Sequence, residues 1–197
     1  MIVLPAEILT PQGWKAIETI TNHDYICIYQ TSTNSFTFEN PLQIYKQNLY
    51  FSCNEIQTQH ITFLLDESHS KKYLETQAQA ADEKAFKVAK HYIQEHFKNP
   101  EQNKYSPSFQ GVFKTNDFAE ACRAQTQCLF AGYRSTLECF FNEYVCTIVD
   151  ENEVVCIGPQ KFVSPQAAIN ITTRTGYYVV RICTSHIGKC VYSTFII

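Results

Sequence analysis

Residues 72 to 98 constrain the architecture of this chain more than any other segment. They are rich in Ala, Glu, Lys and Gln and contain no Gly or Pro, and apolar residues recur among them every three or four positions. This spacing is typical of an amphipathic helix that ends near Asn99 and Pro100. The sequence on both sides is β-prone, so we predict a β unit that is interrupted by an inserted segment.

The first 70 residues predict short antiparallel strands. Residues 25 to 29 and 35 to 38 are β-prone runs on either side of a polar turn, which indicates a hairpin. Residues 41 to 46 and 48 to 51 predict two further strands. Residues 61 to 65 predict a buried strand.

The rest of the chain predicts one more helix and a return to strands. The helix is expected to begin after Thr115 or Asn116, either of which can cap it, and to stop at Gly132. Residues 144 to 149 and 154 to 157 predict a second hairpin, and β character returns from Phe162. We therefore predict a β domain at residues 1–70 plus 158–197 and an inserted α/β subdomain at residues 71–157.

Composition excludes several classes of function. The net charge of -3 and the pI of about 6.1 give no overall attraction to nucleic acid, so any DNA binding has to be local. No apolar run has the length of a membrane span, and no signal peptide is evident, which predicts a cytoplasmic protein. The spacing of the nine cysteines is typical of neither a zinc site nor a disulfide framework. We expect reduced cysteines that fill the core, no metal and no other cofactor.

Three segments, in order along the chain, resemble motifs of inteins, the self-excising domains of the Hint superfamily. The stretch L-T-P-Q-G-W-K-A-I that begins at Leu9 resembles the intein opening, and residues 44 to 63 resemble the region that contains the T-x-x-H motif. T-G-Y-Y-V-V-R at residues 175 to 181 resembles the penultimate strand of phage-encoded inteins. The resemblance implies a mainly β, horseshoe-shaped Hint-like fold that carries an inserted α/β subdomain.

The residues that perform splicing in that family are largely replaced here. Met1 stands at the position of the nucleophilic Cys or Ser, and a thioether cannot form a thiolate. His60 matches the His of T-x-x-H, but Gln57 replaces its Thr, and the hydroxyl of Thr58 comes one residue late. The chain stops at Ile197 where the family has Asn. His60 is therefore either a remnant general acid or a structural His, and we favour the structural role.

Inserts of inteins are commonly homing endonucleases, and residues 113 to 135 resemble a segment of the LAGLIDADG class. The paired acidic helices that hold the catalytic metal in that class have no counterpart here. The adjacent acidic pairs at residues 66–67, 82–83 and 150–151 are interpreted as turns or helix starts. Lys84, Lys87 and Lys90 are weak candidates for DNA contacts, because acidic neighbours offset their charge.

The favoured prediction is a splicing-inactive, domesticated intein-like protein without enzymatic activity. It would serve as a structural or protein-interaction module, in a phage particle or its assembly, with protein partners and neither a small-molecule substrate nor a membrane. Two alternatives stay open: an intein, native or engineered, that still splices, and a DNA-binding relic of a homing endonuclease.

Overall fold

A computed structural model describes residues 2–3, 5–58, 61–76, 111–149, 156–186 and 189–197. These residues form a mainly β protein with two α-helices and a large antiparallel sheet, which confirms the predicted fold class. The helices are α1 (Glu67–Glu75) and α2 (Phe118–Phe130). The strands are β1 (Ile2–Val3), β2 (Ala6–Thr10), β3 (Gly13–Ala16), β4 (Ile26–Gln30), β5 (Ser35–Glu39), β6 (Gln43–Gln57), β7 (Thr62–Leu65), β8 (Val112–Thr115), β9 (Ser135–Phe140), β10 (Glu143–Ile148), β11 (Cys156–Thr172), β12 (Val179–His186) and β13 (Lys189–Ile196).

A seven-stranded antiparallel sheet joins strands from the beginning, the middle and the end of the chain. Its order is β3-β2-β12-β13-β9-β10-β8. The pair β13–β9 connects the last strand to one from the proposed insert, with Ser193 opposite Thr136. The predicted division at residues 71–157 stays a prediction, and within the described ranges the sheet runs across it without interruption.

Two long strands, β6 and β11, pair along most of their length. The ladder runs from Gln43 opposite Thr172 to Gln57 opposite Cys156, with two register shifts. β1 and β7 complete a closed ring with them, because Ile2 lies opposite both Ile169 and Leu65. The expected break between residues 46 and 48 is therefore wrong, since β6 is continuous there.

The predicted hairpin at residues 144–149 and 154–157 is also wrong. β10 pairs with β9 and β8 in the seven-stranded sheet, whereas β11 lies in the closed ring and pairs with β6 from its first residue. Cys146 and Ile148 of β10 are buried in a cluster under α2, while Ile157 is 48% exposed. β10 therefore pairs with the strand that precedes it and with β8, and its buried side chains pack beneath α2 rather than against residues 154 to 157.

Both helices begin at aspartates. Asp66 caps α1 by accepting a hydrogen bond from the backbone N–H of His69, so this helix starts earlier than residue 72. Its expected continuation to residue 98 lies outside the described residues. Asp117 caps α2, and neither predicted cap does so, because Thr115 closes β8 and bonds the Glu120 carboxylate.

The predicted hairpin of β4 and β5 is confirmed, and it packs against α2. Ile28 lies opposite Thr37 in its ladder, and the rings of Phe36 and Phe130 have centroids 5.3 Å apart. All nine cysteines are free thiols, but only Cys27, Cys53, Cys128 and Cys146 are buried in the predicted manner. Of the described helices, neither combines the length and apolar character that crossing a bilayer requires.

Candidate functional site where the first and last strands meet

The three segments that resemble intein motifs converge in space. The first folds as the hairpin β2–β3, and the third forms the start of β12, which pairs with β2 through Val180 opposite Ile8. The second supplies β6 and β7, and β7 reaches β1. Local sequence sets each segment, but the antiparallel pairing of these strands brings all three to one region.

The two ends of the described chain lie in one hydrophobic cluster in this region. Ile2 and Ile197 are both fully buried there. The backbone of Ile197 exchanges two hydrogen bonds with Tyr178, at 3.0 Å and 2.9 Å. The β pairing of β12 and β13 therefore extends to the last residue.

An Asp–His–Tyr relay, buried at His69 and Tyr178, lies beside these ends. The Nδ1 of His69 is 2.7 Å from Oδ1 of Asp66, and its Nε2 is 3.2 Å from the hydroxyl of Tyr178. The carboxylate of Asp66 can only accept, so Nδ1–H donates to it and Nε2 accepts from the Tyr178 hydroxyl. Asp66 is the N-cap of α1 and His69 stands three residues later, so the first helical turn creates the first contact.

Burial keeps this relay uncharged at His69 and Tyr178. It lowers the pKa of His69 to about 3, and the charge of Lys72 acts in the same direction. It also raises the pKa of Tyr178 well above its usual range. The ring is therefore neutral at physiological pH, with both nitrogens engaged, and the group has the properties of a fixed link between α1 and β12.

Three further contacts join α1 and its C-cap residue Thr76 to the last two strands and the turn before them. The hydroxyl of Thr76 donates to the carbonyl of Ile196 at 2.7 Å, and Lys72 donates to the carbonyl of Gly176. The ring of Tyr73 packs on Phe195 with centroids 5.2 Å apart. One face of α1 thus binds the C-terminal strand pair at several points.

Of the residues predicted from the T-x-x-H motif, the structure describes Gln57 and Thr58. Gln57 is exposed and donates to the carboxylate of Glu55 at 2.8 Å. Thr58 follows β6, and its hydroxyl is 3.1 Å from the backbone nitrogen of Ile61, which precedes β7. His60 and Met1 lie outside the described residues, so their assigned roles stay predictions. The same holds for the weak DNA candidates Lys84, Lys87 and Lys90.

Thr58 does line a small cavity of about 20 Å³ next to the last strand. Residues of β9 and β13 with buried hydroxyl groups line it, and among the described atoms several of these groups have no hydrogen-bond partner. A cavity of this size has room for about one water molecule, the usual partner of such groups. The hydroxyl groups concerned are those of Thr136, Ser193 and Thr194.

A larger groove of about 710 Å³ lies between the β2–β3 turn and α2. Arg181, only 1% exposed, forms part of its floor and pairs with Glu7, with Nη2 2.6 Å from the carboxylate. The guanidinium also lies over the rings of Trp14 and Tyr192, at 4.7 Å and 4.5 Å from their centroids. Arg181 belongs to the third intein-like segment, and this contact secures β12 to β2.

Sequence reasoning missed the relay of Asp66, His69 and Tyr178. The pattern D-x-x-H before an amphipathic stretch was available as a signal for an N-cap followed by a side chain on the same helical face. Placing the helix start after Ser70 hid this signal. Within the described ranges, no group of three or more His, Cys, Asp or Glu residues has a geometry that could hold a metal ion.

No protein-family model matches the sequence, and no curated protein matches it. Among solved structures, the chain is similar to a splice-inactive variant of the AceL NrdHF class 3 split intein. The sequence identity is 12%, the comparison covers 98% of this chain and 97% of that one, and the TM-score is 0.42. A similarity of this extent carries no argument about activity, so the functional case rests on the chain's own residues.

Proposed function

We propose that this chain is an intein-like scaffold that does not splice and that serves as a structural or protein-interaction module, in a phage particle or its assembly. The residues at the family's splicing positions support the absence of splicing: Met1 stands at the position of the nucleophile, where a thioether cannot form a thiolate, and Gln57 replaces the Thr of T-x-x-H. His69 is not the His of that motif. Both of its ring nitrogens are engaged by Asp66 and Tyr178, so it cannot take over the polarising role of a splicing His without losing a partner.

The observation that carries the interaction role is Phe141, at the tip of the β9–β10 hairpin. Its side chain is fully exposed, at 105% relative accessibility, and its backbone φ is +49°. Phe140 pairs with Glu143, so the loop has two residues, and Gly is the favoured residue where such a loop needs positive φ. A bulky side chain there costs about 1 kcal/mol and exposes a ring to water.

Binding to a partner protein explains why a residue that is unfavourable in both backbone conformation and solvation stands at position 141. Burying an exposed Phe in a partner's apolar pocket yields about 2 kcal/mol, which corresponds to roughly thirtyfold in affinity. Aromatic anchors of this kind dominate the energetics of many protein interfaces. We therefore assign Phe141 as the anchor and a protein with an apolar pocket as the partner.

Substitution of Phe141 by glycine separates the effect of this residue on stability from its effect on binding. Phe141→Gly should raise the free energy of unfolding of the isolated chain by about 1 kcal/mol, because the backbone strain is relieved. The same variant should bind the partner roughly thirtyfold more weakly. The partner is first identified by photo-crosslinking in the native host from a benzoylphenylalanine at position 141, with position 42 as the control because Leu42 is also exposed. Equal crosslinking at both positions, or unchanged affinity of Phe141→Gly, would contradict the proposal.

Autocatalytic splicing is the second candidate, because the intein-like segments do converge around ionisable groups. The test places residues 1–197 between two reporter domains and follows the products by mass spectrometry. We expect only the intact fusion. Ligated reporters with release of the chain would establish splicing and overturn the proposed inactivity, whatever the result at Phe141.

A further inference from the structure

Cysteines on three adjacent strands lie on one face of the seven-stranded sheet. Cys190 of β13 is directly opposite Cys139 of β9. On the other side of β13, Cys183 of β12 is opposite Tyr192, two residues from Cys190 and on the same face. Directly opposed residues of an antiparallel pair always share a face, so the three side chains point to the same side.

The spacing of Cys139 and Cys190 suits a disulfide. Opposed Cα atoms in antiparallel strands are about 4.5 or 5.5 Å apart, depending on the hydrogen-bond pattern. Both distances fall within the range of about 4.4–6.8 Å that disulfides span. The register of Cys139 and Cys190 therefore places their Cα atoms at a separation that a disulfide can span.

Cys183 is the third thiol of the cluster. Burial raises the pKa of its thiol, and the neighbouring Cys190 and Tyr192 also influence that pKa. It is a diagonal neighbour of Cys190, a position from which side chains still reach each other. Cys183 can therefore exchange with a disulfide formed at Cys190.

The three thiols differ in access. Cys190 is exposed, whereas Cys139 and Cys183 are half-buried. Burial raises the pKa of Cys139 to about 11 and also raises that of Cys183. An oxidant in solution therefore meets Cys190 first.

We propose that Cys139, Cys183 and Cys190 form a redox-active thiol site whose oxidant is a small disulfide such as oxidised glutathione. The Cys190 thiolate attacks one sulfur of that disulfide, its S–S bond breaks, and one glutathione leaves carrying the Cys190 proton. Cys139 then attacks the Cys190 sulfur, the bond to the second glutathione breaks, and that glutathione leaves with the Cys139 proton. Two protein thiols are oxidised, and one glutathione disulfide is reduced to two thiols.

The resulting bond would join β9 to β13. Those strands come from the middle and the end of the chain and form the only pairing between β9–β10–β8 and the remainder of the sheet in the described ranges. The disulfide would therefore fasten these two parts of the sheet covalently.

The test exposes the purified, folded chain to oxidised glutathione and maps its peptides by mass spectrometry without reduction. Wild type should yield a Cys139–Cys190 peptide. The double variant Cys139→Ser/Cys183→Ser should carry at least about tenfold more glutathione on Cys190, because no neighbouring thiol displaces it. Cys156→Ser is the matched control, since Cys156 is exposed and belongs to another strand pair; it should still yield the Cys139–Cys190 peptide.

Two outcomes would overturn the proposal. One is wild type that accumulates glutathione at Cys190 to the level of the double variant, without the Cys139–Cys190 peptide. The other is loss of that peptide in Cys156→Ser. The wild-type peptide map decides the matter even if a variant folds poorly, since it requires no substitution.

Discussion

Removing the carboxylate of Glu7 should destabilise the fold strongly, because it leaves a buried guanidinium without a counter-charge. Arg181 is 1% exposed, and its Nε and Nη2 lie 2.7 Å and 2.6 Å from the Glu7 carboxylate. Breaking a buried ion pair from one side costs about 3–5 kcal/mol. The Glu7 side chain is 28% exposed, so water can reach the vacated position, and the lower end of about 3 kcal/mol applies to Glu7→Ala.

Urea unfolding measures this loss. A domain of this size has an m value of about 2 kcal/mol/M, so 3 kcal/mol lowers the midpoint by about 1.5 M. Glu138→Ala is the control, because the contact of Glu138 with Lys189 is 3.9 Å long and lies near the surface. That variant should lose less than about 1 kcal/mol.

The reasoning also predicts how a second substitution behaves. Arg181→Met in the Glu7→Ala background should recover part of the loss, because the charge that lacks a partner is then absent. If Glu7→Ala costs no more than Glu138→Ala, the guanidinium is sufficiently stabilised by the surrounding rings and its other hydrogen bonds. The assigned role of the Glu7 carboxylate would then be wrong.

Three further predictions concern α1 and α2. The pKa of His69 is about 3 in the folded chain, below its unfolded value of 6.5, so the unfolded chain binds a proton more readily as pH falls. The contribution of neutral His69 to the free energy of unfolding is therefore present above pH 6.5 and is lost as pH falls towards 3. In His69→Gln, the free energy of unfolding should lose about 4 kcal/mol less than in wild type when the pH is lowered from 6.5 to 3. Urea titrations that show the same pH dependence for both proteins would contradict the assignment. Thr76→Val should cost about 1 kcal/mol by removing the bond to the Ile196 carbonyl, against a smaller loss for the exposed control Thr19→Val; equal losses by thermal unfolding would refute it. Asp117→Ala should cost about 1 kcal/mol through its lost cap, with Asp117→Asn close to wild type in the same assay, and a loss shared by both variants would argue against capping.

Features set by neighbouring residues were predictable. The β4–β5 hairpin follows from two β-prone runs around a polar turn, and the stop of α2 follows from Gly132, which adopts a φ of +78°. Capping was less predictable, because several polar residues precede α2 and only Asp117 has the geometry to reach two backbone N–H groups. Local sequence provides the candidates for a cap, and backbone geometry selects among them.

The candidate site was less accessible to sequence reasoning. His69 and Tyr178 are far apart in the chain, and their contact depends on the position of α1 against β12. The burial of Arg181 and the alignment of Cys139 with Cys190 likewise depend on which strands become neighbours. Hydrophobic periodicity predicts that a segment is a strand, but it carries no information about its partner.

The sequence by itself determined a mainly β chain with helical segments, because side-chain periodicity, turn residues and helix signals act over a few neighbouring positions. Tertiary structure alone decided that β10 joins β9 and β8, that β11 returns to β6, and that three separated intein-like segments meet beside His69. The physical reason is that strand pairing and burial are satisfied over the whole chain at once. The chemical behaviour of a charge, a thiol or an exposed ring therefore depends on the residues that the fold places around it.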